Sequence, residues 1–188
     1  MPALVLVKHA APAIDPTIPP DEWPLSDAGR RRCAPLADQL AATHPGVIVA
    51  SAEAKARETA RLVAERLGVP WEIGANLHEH DRRGELFGTE ASFQAAVAAF
   101  FAQPGALVYG NETADQAHAR FARAVDDVLA EHPAQNVVIV AHGTVITLLV
   151  ARANRLEPFA FWQRLGLPSF VLLSRPALAV QRVVERIL

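Results

Sequence analysis

Cysteine is almost missing from this chain: Cys33 stands alone among 188 residues, so no intrachain disulfide can staple the fold. It falls on a predicted helix without an evident histidine partner. We read it as a small core or boundary residue, in keeping with a reducing compartment. An excess of either charge is lacking too. Lys and Arg number 18 and Asp and Glu 20, for a net charge of -2. That balance argues against a nucleic-acid partner and against a polybasic membrane patch. The local cluster Arg30-Arg31-Arg32 reads as a solvated helix face. No apolar run approaches the roughly 18 residues that could span a bilayer. Met1-Pro2 offers no basic n-region, and the first apolar run breaks at Lys8, so the start is not read as a signal peptide. The expectation is a cytoplasmic protein that does not engage membranes. No Gly-x-Gly-x-x-Gly follows any strand-like run, which weakens a dinucleotide-binding reading. Internal repeats and low-complexity segments are missing as well.

What remains is an ordinary globular composition, with 51% apolar and 20% charged residues. The length suits one domain, 1–188, able to bury a sizeable core. Leu4-Val5-Leu6-Val7, Val47-Ile48-Val49-Ala50 and Val137-Val138-Ile139-Val140-Ala141 are short apolar runs that read as strands buried on both faces. Trp71-Glu72-Ile73 is a shorter extended segment. Between them lie helical patterns. Ser26 caps one, in which Pro35 predicts a kink or a break. A second runs from Ala54 to Leu67 and is closed by Gly68. Others cover Glu90–Phe101, Thr113 to about Glu131, Val145–Ala153 and Phe159–Arg164. Ser169–Leu173 and Ala179–Val184 read as a closing pair of strands. The alternation predicts an α/β fold, a three-layer α/β/α sandwich around a mainly parallel sheet. Pro12 to Pro24, rich in proline, is a loop beside the first strand end. There Trp23 is read as a lid over the core.

Ligands of such folds bind beyond the carboxyl ends of the strands. At or just after those ends stand Lys8 with His9, Ser51 leading to Lys55, Glu79, and His142 at a helix start. Two imidazoles, two ammonium groups and a carboxylate suit binding and transfer of an anionic group. Phosphoryl transfer calls for positive charge around the phosphorus, an in-line nucleophile and an acid for the leaving oxygen.

The same residues carry a family resemblance. Lys8-His9-Ala10 resembles the Arg-His-Gly signature of the histidine phosphatase superfamily, the phosphoglycerate mutase-like fold. Leu25-Ser26-Asp27-Ala28-Gly29 resembles that family's Leu-Thr/Ser-x-x-Gly element. Ser51 to Ala60 is similar to its Ser-Pro-Leu-x-Arg-Ala-x-Gln-Thr-Ala segment. Leu77-His78-Glu79 matches the position of its acid, Gly110-Asn111-Glu112-Thr113 resembles a Gly-Glu-Ser/Thr element, and Ala141-His142-Gly143 resembles the second histidine motif. The likeness runs from Leu4 to about Leu173. It implies that His9 is the nucleophile that forms a phosphohistidine, that Glu79 is the acid and base, and that His142, Lys8 and Lys55 hold the phosphate. It implies a phosphomonoester or phosphoprotein substrate and no cofactor. Because nearby cations disfavour a charged imidazole, His9 is expected to have a depressed pKa.

Two positions depart from the family pattern. Its pocket arginines are here Lys8 and Lys55, which keep the charge but lose the bidentate fork. A weak or inactive member, binding phosphate esters or phosphoproteins without turnover, is therefore the alternative to a phosphatase. The modest length between Glu79 and Val137 favours a phosphatase over a mutase. The cluster His78-Glu79-His80-Asp81 invites a metal, but it lacks the His-Glu-x-x-His spacing, and alternating residues of an extended segment face opposite ways; no metal is expected. Arg82, Arg83 and Arg120 are expected on the surface. Phe100-Phe101 and Phe159-Phe161-Trp162, if exposed, would supply an interface for a homodimer.

Overall fold

The computed structural model describes residues 2–85 and 89–188. Its centre is a six-stranded sheet in the order β3-β2-β4-β1-β5-β6. The strands are β1 (Ala3–Lys8), β2 (Val47–Ala50), β3 (Trp71–Ile73), β4 (Val137–Ala141), β5 (Ser169–Ser174) and β6 (Val180–Val184). β1 to β4 run parallel, while β5 pairs antiparallel with both β1 and β6. The described helices are α1 (Asp27–Ala41), α2 (Ala54–Leu67), α3 (Glu90–Ala102), α4 (Ala114–Glu131), α5 (Gly143–Asn154) and α6 (Pro158–Arg164).

Side-chain alternation along the strands builds two cores. Leu4, Leu6, Val49 and Ile139 face α4 and α5 through Phe121, Val125, Ile146 and Leu149. Val5, Val7, Ile48, Val138 and Val140 face α1 and α2 through Cys33, Leu36, Leu40, Ala60 and Val63. With helices on both faces, the central strands have no polar side and read as unbroken apolar runs. Three layers are the result, as the sequence indicated.

Some sequence expectations need correction. α1 runs unbroken through Pro35, which is only partly buried. The proline removes one donor, and the apolar stripe Cys33, Leu36, Ala37 and Leu40, held against α2, keeps the helix whole. α5 starts at Gly143 rather than Val145, so its first N–H groups lie beside His142. Phe100, Phe101 and Phe161 are 0%, 7% and 3% exposed, so they do not form the proposed dimer patch. Phe100 and Phe101 instead build a third small core with Val97, Tyr109 and Leu148.

Register delivers the functional groups to one edge. Lys8 lies opposite Ala141, and Ala50 lies between Val140 and Ile73. The ladder then continues one step beyond the strands: His9 N–H donates to Ala141 O at 3.1 Å and Ser51 N–H to Val140 O at 2.9 Å. His9, Ser51 and His142 thus leave the sheet side by side at its carboxyl edge. The loop after His9 is tied back to α1. Ser26 N–H and Oγ both donate to Ala11 O, each at 3.0 Å. A Cβ at Gly29 would lie 2.2 Å from that same oxygen, so only glycine lets the loop and helix meet. Trp23 closes the loop, with Nε1 donating to Asp15 O at 2.8 Å. No helix among the described residues is long and apolar enough to cross a membrane.

Candidate active site

His9 and His142 meet edge to face, their ring centroids 5.2 Å apart. Both are buried. Nδ1 of His9 lies 2.8 Å from Ala10 O. A carbonyl can only accept, so Nδ1 carries the proton and Nε2 keeps its lone pair. The backbone just beyond is fixed by Thr59, whose Oγ1 accepts from Ala10 N–H at 3.1 Å and donates to Lys55 O. Burial, with the His142 ring next, holds His9 well below the usual imidazole range. The Ala10 hydrogen bond opposes that shift, while Lys55 and Lys8 add smaller amounts. The expected depression is present, but its main cause is burial rather than the two lysines.

His142 is the N-cap residue of α5. Its Nε2 lies 2.8 Å from Ser51 Oγ, and its Nδ1 has no hydrogen-bond partner among the described residues. Burial above all pushes its pKa down to about 3.

Among the described residues, the Glu79 carboxylate accepts hydrogen bonds from backbone alone. Oε1 accepts from His80 N–H at 2.9 Å and Val145 N–H at 3.2 Å, and Oε2 accepts from Thr144 N–H at 3.1 Å. Its carboxylate therefore sits on the positive end of α5. Burial works to raise its pKa, but His142, Arg82 and these N–H groups outweigh it and leave it lowered.

The two lysines reach the same edge but are already engaged. Lys8 Nζ donates to Leu165 O at 2.6 Å and lies 5.9 Å from the Trp162 ring centre. It also borders α5: a Cβ on Gly143 would be 3.2 Å from that nitrogen. Burial lowers its pKa to about 8, against the pull of Glu79. Lys55 Nζ donates to Pro20 O at 2.7 Å and to Glu53 Oε2 at 2.5 Å, which ties the proline-rich loop to the site. His9, Lys8, Lys55, Glu79 and His142 are thus gathered around the start of α5.

Sequence reasoning passed over two groups. Glu53 enters the site beside Lys55, and its signal was a carboxylate where the family pattern has leucine. Arg120, expected on the surface, lies behind Glu79. Its guanidinium donates to Asn76 O, His78 O and Glu79 O at 2.9, 3.0 and 3.1 Å, and to both Glu112 oxygens. Arg120 and Glu112 side chains are 16% and 14% exposed. Removing the arginine strands a largely buried carboxylate and three carbonyls. Arg120→Leu is expected to cost about 3 kcal/mol, read as a fall in Tm of about 6 to 12 °C. Arg120→Lys should recover little of it, because one ammonium cannot serve five acceptors. His80 packs 4.2 Å from the Phe100 ring and 4.7 Å from Tyr109, and its Nε2 lies 3.1 Å from Glu112 O. The described group that could gather ligand atoms is Glu72, Glu131 and His132, on the surface. Residues 86–88, which follow Glu85, lie outside the described residues.

The model of the histidine phosphatase superfamily, branch 1, matches residues 4–174. The chain belongs to this superfamily. Among solved structures it resembles a mycobacterial glucosyl-3-phosphoglycerate phosphatase complexed with VO3, at 22% identity over 97% of each chain and a TM-score of 0.75. It also resembles an Entamoeba histolytica phosphoserine phosphatase mutant in complex with phosphoserine, at 15% identity over 100% of each chain and a TM-score of 0.78. Bacillus stearothermophilus YhfR is a third, at 21% identity over 98% of this chain and 96% of that one, with a TM-score of 0.73. These likenesses establish the phosphoglycerate mutase-like fold. No curated protein sequence matches the chain.

Proposed function

We propose that this member of the histidine phosphatase superfamily hydrolyses phosphomonoesters through a phosphohistidine on His9. The supporting observation is the state of His9: buried, neutral, with Nδ1 committed to Ala10 O and Nε2 left with its lone pair beside His142. In the first step Nε2 attacks phosphorus, the P–O ester bond breaks, and the leaving oxygen takes a proton from Glu79. Glu79 is ionised at rest, and the proton it passes to the leaving oxygen arrives with the substrate. In the second step water attacks phosphorus, Glu79 takes the water proton, and the N–P electron pair returns to Nε2. His142 offers its Nδ1, which has no partner among the described residues, to hold the anion. The reaction needs no metal or cofactor. We place it in the cytoplasm.

A second reading, a member that binds phosphate esters or phosphoproteins with little turnover, is favoured by the prior engagement of both lysines. A panel of phosphomonoesters separates the two. It should include phosphoserine and a glucosyl phosphoglycerate, the compounds named for the structural neighbours. The phosphatase reading expects turnover of at least one ester, its loss in His9→Ala, and gains in Lys8→Arg and Lys55→Arg, where the fork can grip phosphate while keeping its present partner. A panel inert to the wild type, with ester binding retained, would establish the second reading instead.

A further inference from the structure

Glu53 is the residue before α2, yet its side chain does not cap that helix. It turns into the site instead. Oε2 lies 2.5 Å from Lys55 Nζ, and Oε1 accepts from Glu79 N–H at 2.8 Å and lies 3.4 Å from His142 Nε2. The side chain is only 11% exposed. A carboxylate is thus built in among the groups read above as holding an anion. Lys8 and Lys55 are offset by Glu53 and Glu79, which among the described residues leaves Arg82 as the cation without a carboxylate of its own. Its guanidinium stands 4.7 Å over the Phe93 ring and acts on both Glu79 and His142. The other charges nearby are already paired, Asp81 with Arg83 and Glu112 with Arg120.

One surplus positive charge fits a ligand with one negative charge. A phosphoryl dianion would leave excess negative charge in a desolvated place, at a cost. It would also set acceptor against acceptor at Glu53 Oε2. A singly protonated phosphoryl group removes both faults, because its P–OH is a donor and a carboxylate only accepts. We propose that Glu53 selects the protonation state of the ligand, admitting the phosphoryl monoanion with its P–OH donating to the Glu53 carboxylate.

This proposal rests on the phosphate-site reading above. The groups facing Glu53 are Lys55 on α2, His142 at α5, and His78 and Glu79 on the segment after β3. None of the imidazoles charges near neutrality: His142 sits at about 3, His78 is lowered chiefly by burial, and His9 lies well below its usual range. Lys8 is half deprotonated only near 8 and stays mostly charged below about pH 7.5. Between about pH 5 and pH 7.5 the group that titrates is therefore the ligand, whose second proton leaves inside that window. A site that takes the protonated form binds fully below the ligand's pKa and progressively less as pH rises through it.

Inorganic phosphate is the probe, titrated calorimetrically into the wild type, Glu53→Asp and Glu53→Gln across that window. Wild-type affinity is expected to be level below about pH 6 and to have fallen about threefold to fourfold by about pH 7.5, because the second proton of inorganic phosphate leaves near pH 7. Glu53→Asp keeps the carboxylate and should keep the slope. Glu53→Gln retains an acceptor for Glu79 N–H but offers an amide donor to the ligand, so its profile should be flat or rise with pH. A purely structural role for Glu53 would weaken binding evenly and leave the slope unchanged. A flat wild-type profile overturns the proposal without any variant, as does a slope retained in Glu53→Gln. Wild-type protein that binds no phosphate at any pH overturns the phosphate-site reading and this proposal together.

Discussion

His9→Ala is expected to lose phosphomonoester hydrolysis by a factor on the order of 10⁴ or more, the scale seen when a nucleophile is removed from a covalent mechanism. The fold should survive. Among the described residues the His9 side chain makes one hydrogen bond, to its own neighbour Ala10. The backbone around it is held independently, by His9 N–H to Ala141 O and Ala10 N–H to Thr59 Oγ1. A thermal melt close to that of the wild type, together with lost turnover, separates lost chemistry from lost structure. Turnover persisting within tenfold of the wild type would mean that another group attacks phosphorus.

The second large effect is at Glu79. Glu79→Gln should lower kcat on alkyl phosphates by about 10² to 10⁴, the usual worth of a positioned acid or base. Part of that loss is geometric, since the amide nitrogen cannot accept from the N–H groups of Thr144, Val145 and His80 that now seat the carboxylate. Leaving-group dependence isolates the chemical part. With an aryl phosphate, whose leaving group departs without a proton, the first turnover should survive as a burst. Later turnovers should be slow, because the same carboxylate takes the proton of the attacking water. An equal loss on alkyl and aryl esters, without a burst, would show that Glu79 positions α5 rather than moving protons.

His9 and His142 were the most legible of the site residues. β1 and β4 are covered by helices on both faces, so their apolar runs stand out, and His9 and His142 are the first polar residues past buried strand ends. Ser26 and Gly68 mark helix ends by local chemistry alone, as N-cap acceptor and left-handed C-cap. Long-range partners carried no such signal. Lys8 meets a carbonyl 157 residues away, at Leu165, and no spacing rule foretells that. Arg120 looked like one more charge on an amphipathic helix until the turn at Asn76–Glu79 was folded against it. α3 misled for a different reason. Its segment, Glu90–Ala102, is apolar nearly all round, so the pattern could not say whether Phe100 and Phe101 face the protein or the solvent.

The central claim is that His9 becomes phosphorylated during turnover. The direct measurement is rapid acid-free quenching of the protein with a labelled phosphomonoester, followed by peptide mapping of the label. The account predicts an acid-labile, base-stable phosphoramidate on the peptide containing His9, present in wild type, accumulating in Glu79→Gln when the ester is an aryl phosphate, and missing from His9→Ala. Hydrolysis that proceeds with no label on the protein, or label that maps to another residue, would contradict it.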